Sequence, residues 1–298
     1  MSSPSDSRPS GVIHDIGYRP YSGPRLGEGQ IAWSLFLTGL RNCYGLGRSG
    51  RSKVLPMILL GLTLLPALIV VGVAVQLGLP ELPIAYSGYP LTTNLLISVF
   101  VASQAPTMFS RDLRFRTITL YLARPLRRST YVLVRYASLS AAAFALIWAP
   151  QLLLYVGAVL GDLPVGRETE DFAVATAGSL VLALVLAGLT ALVSAVTTRR
   201  GLAVAASIVV LLVSYTVVTT VQGVATETGH DTVAEAAGLF APYSLVNGLQ
   251  VYYLGAPEGS PAPPGSAGMG ALFVLAALLA VVLPVLGLLL RYRRAAVV

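Results

Sequence analysis

Six separate stretches of this chain are long and apolar enough to cross a lipid bilayer: residues 54–77, 91–109, 131–160, 172–196, 201–221 and 269–290. A hydrocarbon core about 30 Å thick needs roughly 20 mostly apolar residues in helical form. In lipid the backbone must satisfy its own hydrogen bonds, so stretches of this length are helices. The predicted fold class is an all-α membrane protein with six transmembrane helices. The second stretch is the most polar, with Asn94, Ser98, Ser103 and Gln104. Composition agrees with a bilayer as solvent: 55% of residues are hydrophobic and 11% charged, with a mean hydropathy of +0.75. Soluble domains carry roughly a quarter charged residues. A soluble enzyme, a disordered chain and a nucleic-acid module are excluded on that ground.

Orientation follows from the charges. Of the 20 Lys and Arg residues, all but Arg167 fall before the first stretch, between the second and third, between the fourth and fifth, after the sixth, or (Arg135) just inside the third. The other set of connections holds Arg167 with Glu81, Asp162, Glu168, Glu170, Asp171, Glu227, Asp231, Glu235 and Glu258. Basic residues mark the cytoplasmic side. Both termini are therefore expected in the cytoplasm of a multi-pass plasma-membrane protein, and an odd number of spans would break the alternation. The net charge of +7 is read as setting orientation and meeting anionic lipid headgroups, with membrane lipids as partners and no nucleic acid. Residues 1–28, rich in Ser, Pro, Gly and Arg, read as a disordered cytoplasmic tail. They contain no cleavable signal peptide, so the first span serves as the insertion signal; residues 291–298 form a second cytoplasmic tail.

Residues 29–53 divide into an amphipathic helix and a basic turn. Trp33, Phe36, Leu37, Leu40 and Tyr44 repeat at helical spacing opposite Ser34, Thr38 and Arg41. Such a helix lies along the cytoplasmic membrane surface with Trp33 and Tyr44 at headgroup level, as a plain anchor or as an elbow that braces a cytoplasmic partner. The run Gly45-Leu46-Gly47-Arg48-Ser49-Gly50-Arg51-Ser52 approaches a phosphate-cradling loop. It has Arg51 where that loop needs Lys, no preceding strand and a membrane span after it, so it is rejected as a nucleotide site.

The cytoplasmic loop 110–130 carries more than charge. Phe115, Ile118, Tyr121 and Leu122 share one side of a short helix that Pro125 ends. It either presents an apolar knob to a soluble protein or is an incidental interfacial helix. On the external side, residues 222–267 lack Lys and Arg. Their apolar part, around 241–254, is too short to cross and is expected to dip into the outer interface.

The spans hold no Asp, Glu, Lys or His away from their ends. Proton- and ion-coupled carriers retain such groups as relays, so energy must come from elsewhere. Cys43 is the single cysteine and two His residues stand far apart, which excludes an intramolecular disulfide and disfavours a metal site. The chain is accordingly read as non-enzymatic, with no catalytic residue, metal or cofactor of its own. Asn94, Ser98, Gln104, Ser214, Tyr215 and Thr219 are the candidate substrate-path residues, although intramembrane hydroxyls mostly bond their own backbone or a neighbouring helix. Ala183, Ala187, Ala191 and Ala195 make a smooth packing face, and Pro66, Pro150 and Pro284 are expected to kink their helices.

Asp112, Thr117, Ile118, Leu120, Leu122, Ala123-Arg124-Pro125-Leu126-Arg127-Arg128 and Tyr131 resemble, in order, the loop of permease subunits of type 2 ABC exporters. The match departs at Arg116, where the family's glycine is usual, and at Leu113 and Thr119. The resemblance extends to the layout of elbow, six spans and larger external segment with short helices. It implies a subunit that dimerises, as a homodimer or heterodimer, and rests on soluble ABC ATPase subunits that bind ATP-Mg. In that arrangement Asp112, Arg116, Thr117, Ile118, Tyr121, Arg124, Pro125, Arg127 and Arg128 couple the permease to the ATPase, and spans one, two and five surround the path. The expected function is export of a lipid-like or amphipathic compound. The alternative is a non-transporting scaffold or sensor that recruits a cytoplasmic protein.

Overall fold

The computed structural model describes residues 23, 27–47, 50–110, 126–197, 199–257, 259 and 262–295. Regular structure among them is helical throughout: α1 (Glu28–Cys43), α2 (Gly50–Leu77), α3 (Tyr89–Thr92), α4 (Asn94–Met108), α5 (Arg128–Leu160), α6 (Val165–Val196), α7 (Arg200–Glu227), α8 (Asp231–Ala237), a 3₁₀ turn (Gly238–Phe240), α9 (Pro242–Leu254) and α10 (Ala267–Ala295). Five of these, α2, α5, α6, α7 and α10, are long and apolar enough to cross a membrane. They match the first, third, fourth, fifth and sixth apolar stretches, each extended at one or both ends by polar turns.

The second stretch behaves differently. It breaks at Thr93 into α3 and the 15-residue α4, which is about 22 Å long at 1.5 Å per residue, short of the hydrocarbon thickness. It lies against α2, α5, α6 and α7, and Ile97, Phe100, Val101, Ala105 and Met108 are buried together with Ser98, Ser103 and Gln104. Its buried polar side chains find partners in two ways: Ser98 bonds the Tyr243 hydroxyl of α9, whereas Ser103 donates to the Phe100 carbonyl and Gln104 to Ser103 Oγ within α4 itself.

α6 is the axis of the molecule. Of its most apolar window 61% is buried, against 22% in α2, α7 and α10. It packs on α5, α10, α9, α4 and α7, and Ala183, Ala187, Ala191 and Ala195 are all buried on it. The four-residue alanine spacing removes side-chain bulk along one face and lets several backbones approach, the packing mode available where lipid supplies no hydrophobic drive between helices. Residues such as Leu65, Leu68 and Ile69 of α2, Val209, Val213 and Val217 of α7, and Leu278 and Leu283 of α10 point outward, as helices facing hydrocarbon would have them.

α1 forms where the stripe predicts it, yet its two sides are divided otherwise. Gly39 and Cys43 are buried, with Ile31 and Leu35 packed beside them, whereas Trp33 is 61% exposed and stacks on Phe36. Tyr44 turns inward to donate a 2.8 Å hydrogen bond to the Ala142 carbonyl on α5. The reason is close contact: a Cβ on Gly39 would stand 2.6 Å from Ser138 Oγ. A helix seated that tightly against α5 has one face in the bundle and a second apolar face outside it. Burial pushes the Cys43 thiol up to about 12, so it stays a neutral, unreactive packing group. Of the expected basic turn, residues 44–47 are turns, residues 48 and 49 lie outside the described residues, and α2 already begins at Gly50.

Candidate functional site

α9 positions most of the buried polar chemistry. Pro242 at its first turn and Gly255 in the left-handed region (φ 64°) just past its end set its 13 residues. Tyr243, Asn247 and Gln250 follow at helical spacing, and all three are buried. Each reaches a different element. The Tyr243 hydroxyl donates to the Asn94 carbonyl at 3.0 Å and shares a 2.8 Å hydrogen bond with Ser98 Oγ on α4. The Tyr215 ring of α7 stands edge-on to it, centroids 5.5 Å apart. Asn247 Nδ2 donates to the Ser87 carbonyl at 3.4 Å, and Gln250 Nε2 to the Val174 carbonyl of α6 at 3.1 Å. Gln250 occupies space that Gly178 leaves open, where a Cβ would lie 2.1 Å from its amide.

The structure thus gathers three of the six sequence-named path residues, Asn94, Ser98 and Tyr215, around one phenol. The other three stand apart. Gln104 donates to the neighbouring Ser103 Oγ at 3.0 Å, Ser214 donates to the Leu211 carbonyl at 3.1 Å and Thr219 to the Tyr215 carbonyl at 2.9 Å, the backbone-directed use expected of most hydroxyls in apolar helices. Tyr243, Asn247 and Gln250 were missed as site residues because the segment carrying them is too short to span. The available signal was their own spacing of four and three residues inside an apolar run.

A second polar layer lies at the same end. Gln151 of α5 donates through Nε2 to the Tyr86 carbonyl at 3.0 Å and accepts from Ser179 Oγ at 2.8 Å. The Tyr86 hydroxyl donates to the Glu168 carboxylate, and burial together with that neighbouring carboxylate holds the Tyr86 phenol well above its ordinary value. Gln222 of α7 donates to the carbonyls of Ala234 and Ala262 at 3.2 and 3.3 Å. Burying an amide without a partner costs about 1–3 kcal/mol on mutational scales, so these pairings hold the α3, α8 and α9 region as a fixed cover. Outside it, a cleft of about 310 Å³ is lined by Glu81, Ser87, Arg167, Glu168, Asp171 and Pro257 among others. Arg167 Nη1 pairs with Glu81 at 2.6 Å. Among the described residues no His, Cys, Asp and Glu grouping could hold a metal ion.

The opposite end holds the described part of the 110–130 loop. Asp112, Arg116, Thr117, Ile118, Tyr121, Arg124 and Pro125 lie outside the described residues; Arg127 and Arg128 begin α5 and are exposed. The Glu28 carboxylate of α1 accepts from Thr130 Oγ1 at 2.9 Å and from the Arg127 N–H at 3.4 Å, capping α5 where helix N–H groups are free and negative charge is favoured. The Thr130 hydrogen bond, then that of the Arg127 N–H, and lastly the Arg127 charge hold Glu28 below its ordinary 4.5. Arg135 is buried two turns into α5, its guanidinium 5.4 Å over the Tyr131 ring and its Nη1 3.5 Å from Met108 Sδ. Tyr292 of α10 closes over the same cage, donating to the Phe109 carbonyl at 3.1 Å. Ser110 Oγ to the Thr197 carbonyl and Arg291 Nε to the Ala195 carbonyl tie the ends of α4, α6 and α10 together.

A family model described as ABC-2 family transporter protein matches residues 21–297. Comparison with curated proteins finds no match.

Proposed function

The chain belongs to the ABC-2 family of transporter proteins, and on that premise we propose that it couples ATP hydrolysis on a separate ATPase subunit to export of an amphipathic, lipid-like compound across the plasma membrane. It is a permease component of an ABC transporter, a membrane transport part that works with an ABC ATPase partner. The observation that carries the proposal is the family match running over the whole helical bundle, five of whose helices are long and apolar enough to cross a membrane.

In this reading α4, though short, completes six spans, and both termini are cytoplasmic. α1 is the elbow, the loop 110–130 docks on an ATPase that holds ATP-Mg, and two permease copies face one another. The rigid seating of α1 on α5 and the Glu28 contact at the start of α5 support a mechanical path: force arriving at Arg127 and Arg128 is delivered to a 33-residue helix that packs on α1, α2, α4 and α6. The cover formed by α9 supports an outer closure of the path, and Tyr243 is the residue through which α4 and α7 would sense one another. The absence of Asp, Glu, Lys and His away from the span ends supports an external energy source.

The test is charge reversal in the loop. Arg124→Glu combined with Arg127→Glu is expected to leave membrane insertion intact while removing most substrate-stimulated ATPase activity of the reconstituted complex. Stimulation equal to that of the parent protein would count against the loop as the coupling element.

A further inference from the structure

Beside the start of α5, whose Arg127 and Arg128 are placed above in ATPase coupling, a cleft of about 520 Å³ opens toward the end of α10. Arg127, Arg128 and Arg293 stand on it, and Leu126, Leu289 and Tyr292 form its apolar side. Among the described residues no carboxylate pairs with Arg128 or Arg293. Arg127 reaches Glu28 only at 4.0 Å and keeps 83% of its side chain exposed. Tyr292 is a fixed wall, held by its hydrogen bond to Phe109. The volume is within the roughly 300–1,000 Å³ of small-ligand sites.

What adjoins the cleft narrows the ligand. From Leu289 an apolar stripe leads away along α10 through Leu286, Val282, Leu279 and Leu275, spaced three and four residues apart and therefore on one helix face. These four side chains are 43% to 51% exposed. A soluble anion would use the guanidinium groups and leave the stripe unused. A ligand fitted to both parts has an anionic head and a hydrocarbon tail.

We propose that this cleft binds an anionic phospholipid, its phosphate against Arg128 and Arg293 and one acyl chain along the α10 stripe. Guanidinium forks match phosphate oxygens in pairs of charge-assisted hydrogen bonds, and basic pockets between membrane helices on the cytoplasmic side recognise acidic headgroups. The assignment needs α10 to lie in a bilayer with this end at the headgroups. It does not need the transport reading, and Arg293 is outside the residues assigned to ATPase coupling.

The full-length protein in mild detergent would be equilibrated with equal amounts of phosphatidylglycerol and phosphatidylcholine of one chain length, and retained lipid read by native mass spectrometry. Preferential retention of phosphatidylglycerol is expected, reduced about fivefold in Arg293→Gln and changed less than about twofold in Arg294→Gln, which removes the same charge outside the cleft. Millimolar inorganic phosphate should not displace the lipid. Equal losses in the two variants, no preference between the lipids, or complete displacement by phosphate would each overturn the proposal.

Discussion

The contact between Gly178 and Gln250 shows how a single residue type can be demanded by packing. The Gln250 amide occupies the volume that any larger residue at 178 would need. Gly178→Ala should destabilise the protein by about 1–3 kcal/mol, the usual cost of overpacking, seen as a lower melting temperature in detergent. Gln250→Ala added to it should recover part of the loss; a Gly178→Ala protein that melts with the parent would remove the contact from consideration. At this scale the sequence is a partial guide. Asn94, Ser98 and Tyr215 stand out as polar groups in apolar stretches, and they do meet at Tyr243. Gln104, Ser214 and Thr219 carry the same signal and satisfy themselves locally, because a hydroxyl or amide in an apolar helix takes whichever partner is nearest, and a one-dimensional pattern does not say which.

Among the elements, α1 is where local pattern and packing diverge most. Its periodicity identifies a helix, but Ile31, Leu35, Gly39 and Cys43 face the bundle while Trp33 stays outside, since the close seat on α5 is set by the small Gly39 and not by the largest apolar side chains. Its start is latched to α5 by Glu28. With its acidity raised by those contacts, the Glu28 carboxylate contributes stability in full above its ordinary 4.5 and loses it as pH falls through the lower value of the folded protein. Glu28→Gln is therefore expected to speed amide hydrogen exchange along residues 28–43 at neutral pH. Taken as protection relative to the intrinsic exchange rate at each pH, the parent protein should lose the same protection on acidification below the usual carboxylate range, and the variant's protection should not respond to that step. Exchange in α1 that is identical in the two proteins at every pH would mean the latch holds nothing. α9 is the converse case: its apolar run and its shortness are plain from sequence, while its burial between α6, α7 and α10 is a property of the assembled bundle.

For the molecule as a whole, the distribution of arginines and the proposed six spans make a topological prediction. With Cys43 replaced by Ala, a cysteine at Thr228 should react with a membrane-impermeant maleimide in intact cells, and one at Arg294 only after permeabilisation. Both positions are at exposed places, so reversed labelling would refute the orientation without ambiguity from burial. Five of the spans could be recognised from the sequence because hydrophobic length is additive along a chain and owes nothing to neighbours. The sequence by itself determined that this protein is helical, that it belongs in a bilayer and that basic and acidic residues collect in alternate connections between the apolar stretches: each is a sum over consecutive residues. Only the tertiary structure decided that α6 is the axis, that α4 is encased and short, and that Tyr243, Gln250 and Arg135 are buried in cages of residues distant in the chain. Those outcomes depend on which helix faces meet, and lipid-facing and protein-facing surfaces are built from the same apolar side chains.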